Sequence, residues 1–148
     1  MNDEDVIVAL IYKINTPISY TKLQKLTFLL KEETNIKLSL EFKPYKYGPF
    51  SQRVFEITEK LRADGLVSIS YANGLHTQTD NIRLVSITEQ GRKKGSEVYN
   101  SMDKEQRDSF DSVIRRWGSE PLSSLLVYTY LTYPETTKNS TIADKILS

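Results

Sequence analysis

The stretch that decides the fold reads Leu61-Arg62-Ala63-Asp64-Gly65-Leu66-Val67-Ser68-Ile69-Ser70-Tyr71 and resumes as Ile82-Arg83-Leu84-Val85-Ser86-Ile87-Thr88-Glu89-Gln90-Gly91-Arg92. Gly65 is placed to cap the helix before it in a left-handed conformation. Val67, Ile69 and Tyr71 then alternate onto one side, which is strand periodicity. The polar stretch from Ala72 to Asn81 contains Asn73-Gly74, a tight-turn pair. Ile82 to Ile87 is its return strand, so the pair is a hairpin with a long or irregular tip. Thr88 caps the next helix, which runs to about Met102. Gly91 and Gly95 inside it each cost about 1 kcal/mol against alanine. Four residues apart, they share a face with Val98 and Met102, so close packing against a neighbour would compensate.

Three helices precede the hairpin. Val6, Ile7, Leu10, Ile11 and Ile14 recur at helical spacing, and Pro17 stops that helix. A second begins near Thr21, where Thr21-x-x-Gln24 fits a capping box, and buries Leu23, Leu26, Leu29 and Leu30. The segment from Asn35 to Gly48 lacks helical period and reads as extended or looped, with a short strand at Lys37 to Phe42. Gly48-Pro49 opens a third helix, since proline suits the first helical position; Phe50, Val54, Ile57 and Leu61 line one face. Beyond the hairpin and its following helix, Asp103-x-x-Gln106 caps a fifth helix bearing Phe110, Val113, Ile114 and Trp117. Pro121 starts a sixth, apolar to Tyr133 and ended by Pro134, and Ser140 caps a short last one. No repeat or low-complexity linker divides the chain, so residues 1–148 read as one domain: a core over 1–102 and a C-terminal helical extension over 103–148. Helix, helix, helix, hairpin, helix is the chain order of a winged helix. The expected class is α+β, mainly α: a winged helix-turn-helix with a β-hairpin wing and additional C-terminal helices.

The order of these pieces from Ser51 to Val98 resembles the MarR and PadR groups of winged-helix regulators. In those groups a recognition helix runs through a glycine into the wing, and the next helix opens on a similar threonine-glutamate-x-glycine-arginine. A narrower resemblance rests on Lys22-Leu23-Gln24-Lys25-Leu26-Thr27-Phe28-Leu29-Leu30 and Phe42-Lys43-Pro44-Tyr45-Lys46-Tyr47-Gly48-Pro49-Phe50-Ser51. These look like the YwgA-like family of small prokaryotic proteins and, more distantly, the SocA-like antitoxin domain, also called Panacea. The tail Tyr130-Leu131-Thr132-Tyr133-Pro134-Glu135 is similar to that family's ending. The resemblance implies a regulator or an antitoxin-type module and supplies no biochemical activity.

Composition removes several classes of function. A chain of 148 residues can bury a self-sufficient core, and 39% apolar with 26% charged residues is globular. No apolar run approaches the ~20 residues of a membrane span. The acidic start Met1-Asn2-Asp3-Glu4-Asp5 is unlike a signal peptide, and with no cysteines the expectation is a cytoplasmic protein. Missing thiols exclude disulfides, thiolate zinc sites and cysteine nucleophiles. His76, the single histidine, falls in the hairpin tip and is too few for a transition-metal site. In the acidic cluster Asp103, Glu105, Asp108 and Asp111, the first is a cap, and Asp108 and Asp111 are the wet side of a helix, rather than metal ligands. No phosphate loop or serine elbow stands out, so the expectation is no enzyme and no cofactor.

The net charge of +1 conceals local positive stretches: Lys13, Lys22, Lys25 and Lys31; Lys43, Lys46 and Arg53; and Arg83, Arg92, Lys93 and Lys94 around Glu89. They suit phosphate contacts, or else are solvated faces. The leading expectation is a transcriptional regulator on double-stranded DNA. Ser51, Gln52 and Arg53 begin the helix that would enter the major groove, where Gln52 suits adenine and Arg53 guanine. Lys43, Lys46 and Arg83 would hold phosphates. Glu56 and Glu59 on the same helix oppose this. Tyr45, Tyr47 and Phe50 interleave with the lysines, a pattern for stacking bases that more often packs a turn on the core. Leu122, Leu125, Leu126, Tyr130 and Tyr133 either pack back on the domain or make a homodimer that pairs two readers. The alternative is a protein-interaction module, such as an antitoxin or adaptor, gripping its partner with the tyrosine-rich turn or the C-terminal helices. A continuous basic stripe from the third helix to the wing favours DNA; acids that break it favour a protein.

Overall fold

The computed structural model describes residues 1–73 and 81–147. The Asn73-Gly74 turn and His76 therefore lie wholly or partly outside the described residues. Among those described, seven α-helices and two small antiparallel sheets make an α+β fold that is mainly helical. Helix α1 (Asp3–Ile14) starts in a capping box between Asn2 and Asp5 and ends on Asn15 in the left-handed region. Its acidic first turn complements the helix dipole. Val6 to Ile11 are all buried, so α1 is the apolar axis around which the other elements gather.

Helix α2 (Tyr20–Glu33) follows the short strand β1 (Ile18–Ser19). Its cap is Ser19, whose Oγ accepts from the Lys22 N–H at 3.1 Å, and not Thr21. The expected Thr21/Gln24 box does not form because Gln24 is buried and turned elsewhere. Its Nε2 donates to Ser51 O at 2.9 Å and its Oε1 accepts from Ser51 N at 2.8 Å.

The segment between α2 and the third helix departs most from expectation. Residues 37–42 form no strand; instead β2 (Lys43–Tyr45) and β3 (Gly48–Phe50) make a tight antiparallel hairpin. Gly48 takes a φ of 90° at the turn. Pro44 faces Pro49, a pairing open to two residues without N–H only where the ladder needs no bond from them. Pro49 is thus a strand residue, and α3 (Gln52–Ala63) begins later, capped by the Ser51 hydroxyl on Val54 N. Val54, Ile57 and Leu61 are its buried face, without Phe50.

The hairpin of β4 (Val67–Asn73) and β5 (Asn81–Ile87) forms as expected after Gly65, whose φ is 76°. Strand β1 joins it, giving the order β1-β5-β4 with Ile18 opposite Val85. Val67 and Val85 reach the core, whereas Tyr71 is 62% exposed where the strand runs past it.

Helix α4 (Glu89–Ser101) is capped by Thr88, which accepts from Gly91 N and donates to Gly65 O. Helix α5 (Lys104–Trp117) opens with the Asp103/Gln106 capping box. Helix α6 (Leu122–Thr132), a 3-10 turn (Pro134–Thr137) and α7 (Ala143–Leu147) complete the chain. Phe110, Val113, Trp117 and Leu125 share one core with α1 and α2, so residues 103–147 continue the domain's interior. Leu126 and Tyr130 pack with Ala143, and Tyr133 donates to Glu33 at 2.7 Å. The stripe that suited a dimer thus covers the chain's own core, leaving Leu131 outward.

The two glycines of α4 explain themselves by contact. A Cβ on Gly91 would lie 1.9 Å from Leu66 O, and one on Gly95 would lie 2.5 Å from Tyr12 Cβ. Gly91→Ala should therefore destabilise by about 2 kcal/mol or more, although alanine is the better helix former by about 1 kcal/mol. Urea denaturation measures this, and a variant as stable as the parent would mean that α4 and Leu66 approach less closely.

Candidate binding cleft

The residues expected to read DNA do not form one surface. Ser51 is 1% exposed, with its hydroxyl on Val54 N and its backbone in the Gln24 clamp, so it is a structural cap and not a base reader. Arg53 is exposed but lies 3.7 Å from Glu4 and 3.8 Å from Glu56. Further along α3, Lys60 pairs with Glu4 and Asp64, and Arg62 with Glu59. The cations of α3, Arg53, Lys60 and Arg62, are thus engaged by Glu56 and Glu59 of the same helix, by its cap Asp64 and by Glu4 of α1. Acids break the expected basic stripe.

The first basic stretch is also absorbed internally. Lys22 Nζ donates to Gly118 O and Glu120 O, closing the C-terminal end of α5. Lys31 Nζ donates to Leu40 O, holding the irregular segment on α2. Lys13 sits over the Tyr99 ring and 3.8 Å from Asp111. Lys25 is buried. These lysines serve the fold through carbonyls, a ring and a carboxylate. Asp111 turns inward and is not on the wet side of α5 as expected: its Oδ2 accepts from Tyr99 Oη, while its buried Oδ1 has no hydrogen-bond donor among the described residues and lies 3.8 Å from Lys13 Nζ. Among the described residues no group of three His, Cys, Asp or Glu could hold a metal ion.

Lys43 and Lys46 stay exposed on the β2–β3 hairpin, and neither makes an ion pair among the described residues. Gln52 and Arg83 border a cleft of about 320 Å³ between α2, the β2–β3 hairpin, the start of α3 and β5. Tyr20, Phe50 and Phe55 form its walls, with Tyr20 and Phe55 edge to face at 5.8 Å. The Arg83 guanidinium lies 5.0 Å above the Tyr20 ring and 5.4 Å above that of Phe55, a cation–π seat that fixes it at the rim. Tyr45 and Tyr47 form the rest of the rim, each 51% exposed. The expectation that these aromatics pack the turn is thus met only by Phe50, against which Tyr45 leans at 5.4 Å.

The floor is polar and deeply buried. Lys25 is 2% exposed, and its Nζ donates to Pro49 O at 3.1 Å. Beside it, Gly48 leaves the space a Cβ would take, 3.1 Å from Lys25 Cε and 3.2 Å from Leu126. Burial brings the Lys25 amine down to about 7. Burial raises the Tyr20 hydroxyl, and its donation to Glu59 at 2.9 Å raises it further. No Asp or Glu is among the described residues lining the cleft. A second hollow beyond Tyr45, Phe50 and Gln52 mixes Lys43 and Arg53 with Glu41 and Glu56.

Tyr20 and Phe55 were not among the candidate residues, and Lys25 was read only as part of a basic stretch for phosphate or solvent. The signal for Lys25 was a lysine inside the run Leu23 to Leu30, every position of which is buried. No protein-family model matches the sequence, and no curated protein matches it either.

The depressed Lys25 value has a consequence for stability. Between about 7, where the folded chain releases this proton, and about 10.4, where the unfolded chain does, the unfolded state binds more protons. The cost of burying the charge is in full force below that window and lifts as pH rises through it. Relative to Lys25→Met, the parent should gain about 2 kcal/mol from pH ~7 to pH ~9 in urea titrations. Parallel pH profiles would mean that the amine is not held down by burial.

Proposed function

We propose that this chain is a winged helix-turn-helix module without catalytic chemistry that binds a protein partner through the aromatic cleft. The winged-helix reading draws on the element order, on α3 leading directly into the hairpin, and on β1 joining it as β1-β5-β4. It agrees with the resemblance to the YwgA-like and SocA-like antitoxin group. The observation that carries the choice of partner is the contrast between two surfaces. Each cation of α3 is already paired with a carboxylate, Arg53 with Glu4 and Glu56, Lys60 with Glu4 and Asp64, and Arg62 with Glu59, so a phosphate approaching them would meet those acids as well. The cleft next to this helix exposes two tyrosines and has no carboxylate among the described residues that line it. Aromatic residues at an exposed concavity are the usual energetic centre of a protein interface.

Duplex DNA is the second reading, favoured by Lys43, Lys46 and Arg83, which lack carboxylate partners among the described residues. Surface ion pairs such as those of Arg53 are each worth about 0–1 kcal/mol and can be exchanged for a phosphate, but their carboxylates stay behind.

Purification from the source cells should return a stoichiometric complex that Arg53→Ala leaves intact and Tyr45→Ala weakens by about 1–3 kcal/mol. Gel shifts against a pool of duplexes, including the chain's own upstream region, should show only salt-sensitive binding without sequence preference. A preferred duplex whose selectivity disappears in Arg53→Ala would decide for DNA.

A further inference from the structure

Among the described residues lining the cleft there are two cations, one buried and one exposed, and no carboxylate. As an ammonium, Lys25 offers three N–H donors, and Pro49 O is its one hydrogen-bond acceptor among the described residues. Charged and 98% buried, it makes no ion pair there. Arg83 at the rim is likewise held on ring faces rather than by a carboxylate. Glu59, the nearest acid through Tyr20, is engaged by the Tyr20 hydroxyl and by Arg62. An occupant that satisfies this cavity brings an anion to the floor and a flat apolar body to the walls.

We propose that the cleft captures the C-terminal carboxylate of a partner chain whose last residue is aromatic. This assignment rests on the partner-binding reading above and names the end of the partner that the cleft takes. In such a terminus the ring and the carboxylate belong to one residue, which suits a cavity of about 320 Å³. The carboxylate meets the spare Lys25 donors, and the ring enters among Tyr20, Phe50 and Phe55. Gln52, exposed at the rim, offers a donor and an acceptor to the preceding peptide bond. Single-stranded nucleic acid satisfies the rings but not the floor. Its phosphates run along the outside of the strand, so an inserted base would bring an uncharged edge to Lys25.

The test uses the full chain at about pH 6, where an amine of value about 7 carries its proton. N-acetyl-glycyl-phenylalanine, its C-terminal amide and an oligothymidylate single strand are titrated by calorimetry, with chemical-shift mapping to locate each. The free acid should bind in the cleft, and the amide at least about tenfold more weakly, because a charge-assisted pair is lost. Lys25→Met, a swap of similar length into an apolar setting, should abolish that preference. Arg83→Gln, at an exposed position, should weaken the acid severalfold and reads the same question should Lys25→Met fail to fold. Equal binding of acid and amide, no binding of either, or displacement of the acid by oligothymidylate would overturn the assignment. A stoichiometric partner that survives Lys25→Met and Arg83→Gln would overturn it too, while leaving the partner-binding reading in place.

Discussion

Two side chains next to each other on α2 determine where the cleft walls stand. Gln24 offers its amide as both donor and acceptor to the backbone of Ser51, at 2.9 and 2.8 Å. Lys25, one residue on, donates to Pro49 O. Together they tie the end of β3 and the start of α3 to the middle of α2, across 24 to 27 residues of sequence. Without Gln24, Ser51 would bring an unpaired N–H into a buried setting, costing about 1–3 kcal/mol, and its carbonyl would keep only the 3.4 Å bond from Phe55 N. The β2–β3 hairpin therefore has one position available, and Tyr45 and Tyr47 project from it beside Tyr20 and Phe55. Thr141 N reaches across to Lys46 O at 3.1 Å and holds the hairpin from the other side. That bond makes the C-terminal segment a support for the cleft.

How much of this was legible in the sequence depended on whether the deciding chemistry was local. Thr88, Asp103 with Gln106, and Gly65 act within a few residues of themselves, and each was placed correctly; the glycines of α4 were legible from their spacing, although Leu66 and Tyr12, which require them, are distant in sequence. Gly48-Pro49 was read as a helix start because a proline at a first helical turn and a proline in a short edge strand look alike locally. What separates them is Pro44, opposite Pro49 across the hairpin, and no periodicity announces that pairing. Thr21 and Gln24 likewise have the right spacing for a cap, but Ser19 caps the helix two residues earlier and Gln24 has a better partner 27 residues away.

Charge was the least legible property. A run of lysines without acids looks like a phosphate-binding face, yet a long side chain can turn its ammonium inward to a carbonyl as readily as outward to water. Lys22, Lys25 and Lys31 all do so, each to the main chain of a distant or irregular segment. The reverse holds for α3, whose cations were visible in the sequence while Glu4, brought over from α1, was not expected beside them. Only the fold puts the acidic first turn of α1 next to the helix thought to read bases. That same acidic turn is well placed for the dipole of α1, so one feature both starts a helix and discharges its neighbour.

Lys25 is the residue whose presence most needs a reason beyond stability. Its single carbonyl bond does not offset the cost of bringing an ammonium out of water, which is why its value falls to about 7. A methionine of similar length would fill the same space beside Gly48 without that cost, and Gln24 alone would still anchor Ser51. Groups buried at such a disadvantage cluster where a protein meets a ligand, since the missing interaction is the one the ligand supplies. The geometry around Lys25 follows that pattern: it lines the cleft with one acceptor for three donors among the described residues, and two tyrosines of the same cleft remain exposed. The clamp and the buried amine are therefore consecutive residues of α2: Gln24 alone holds Ser51, and Lys25 adds the bond to Pro49 O and places an ammonium where the proposed carboxylate would meet it.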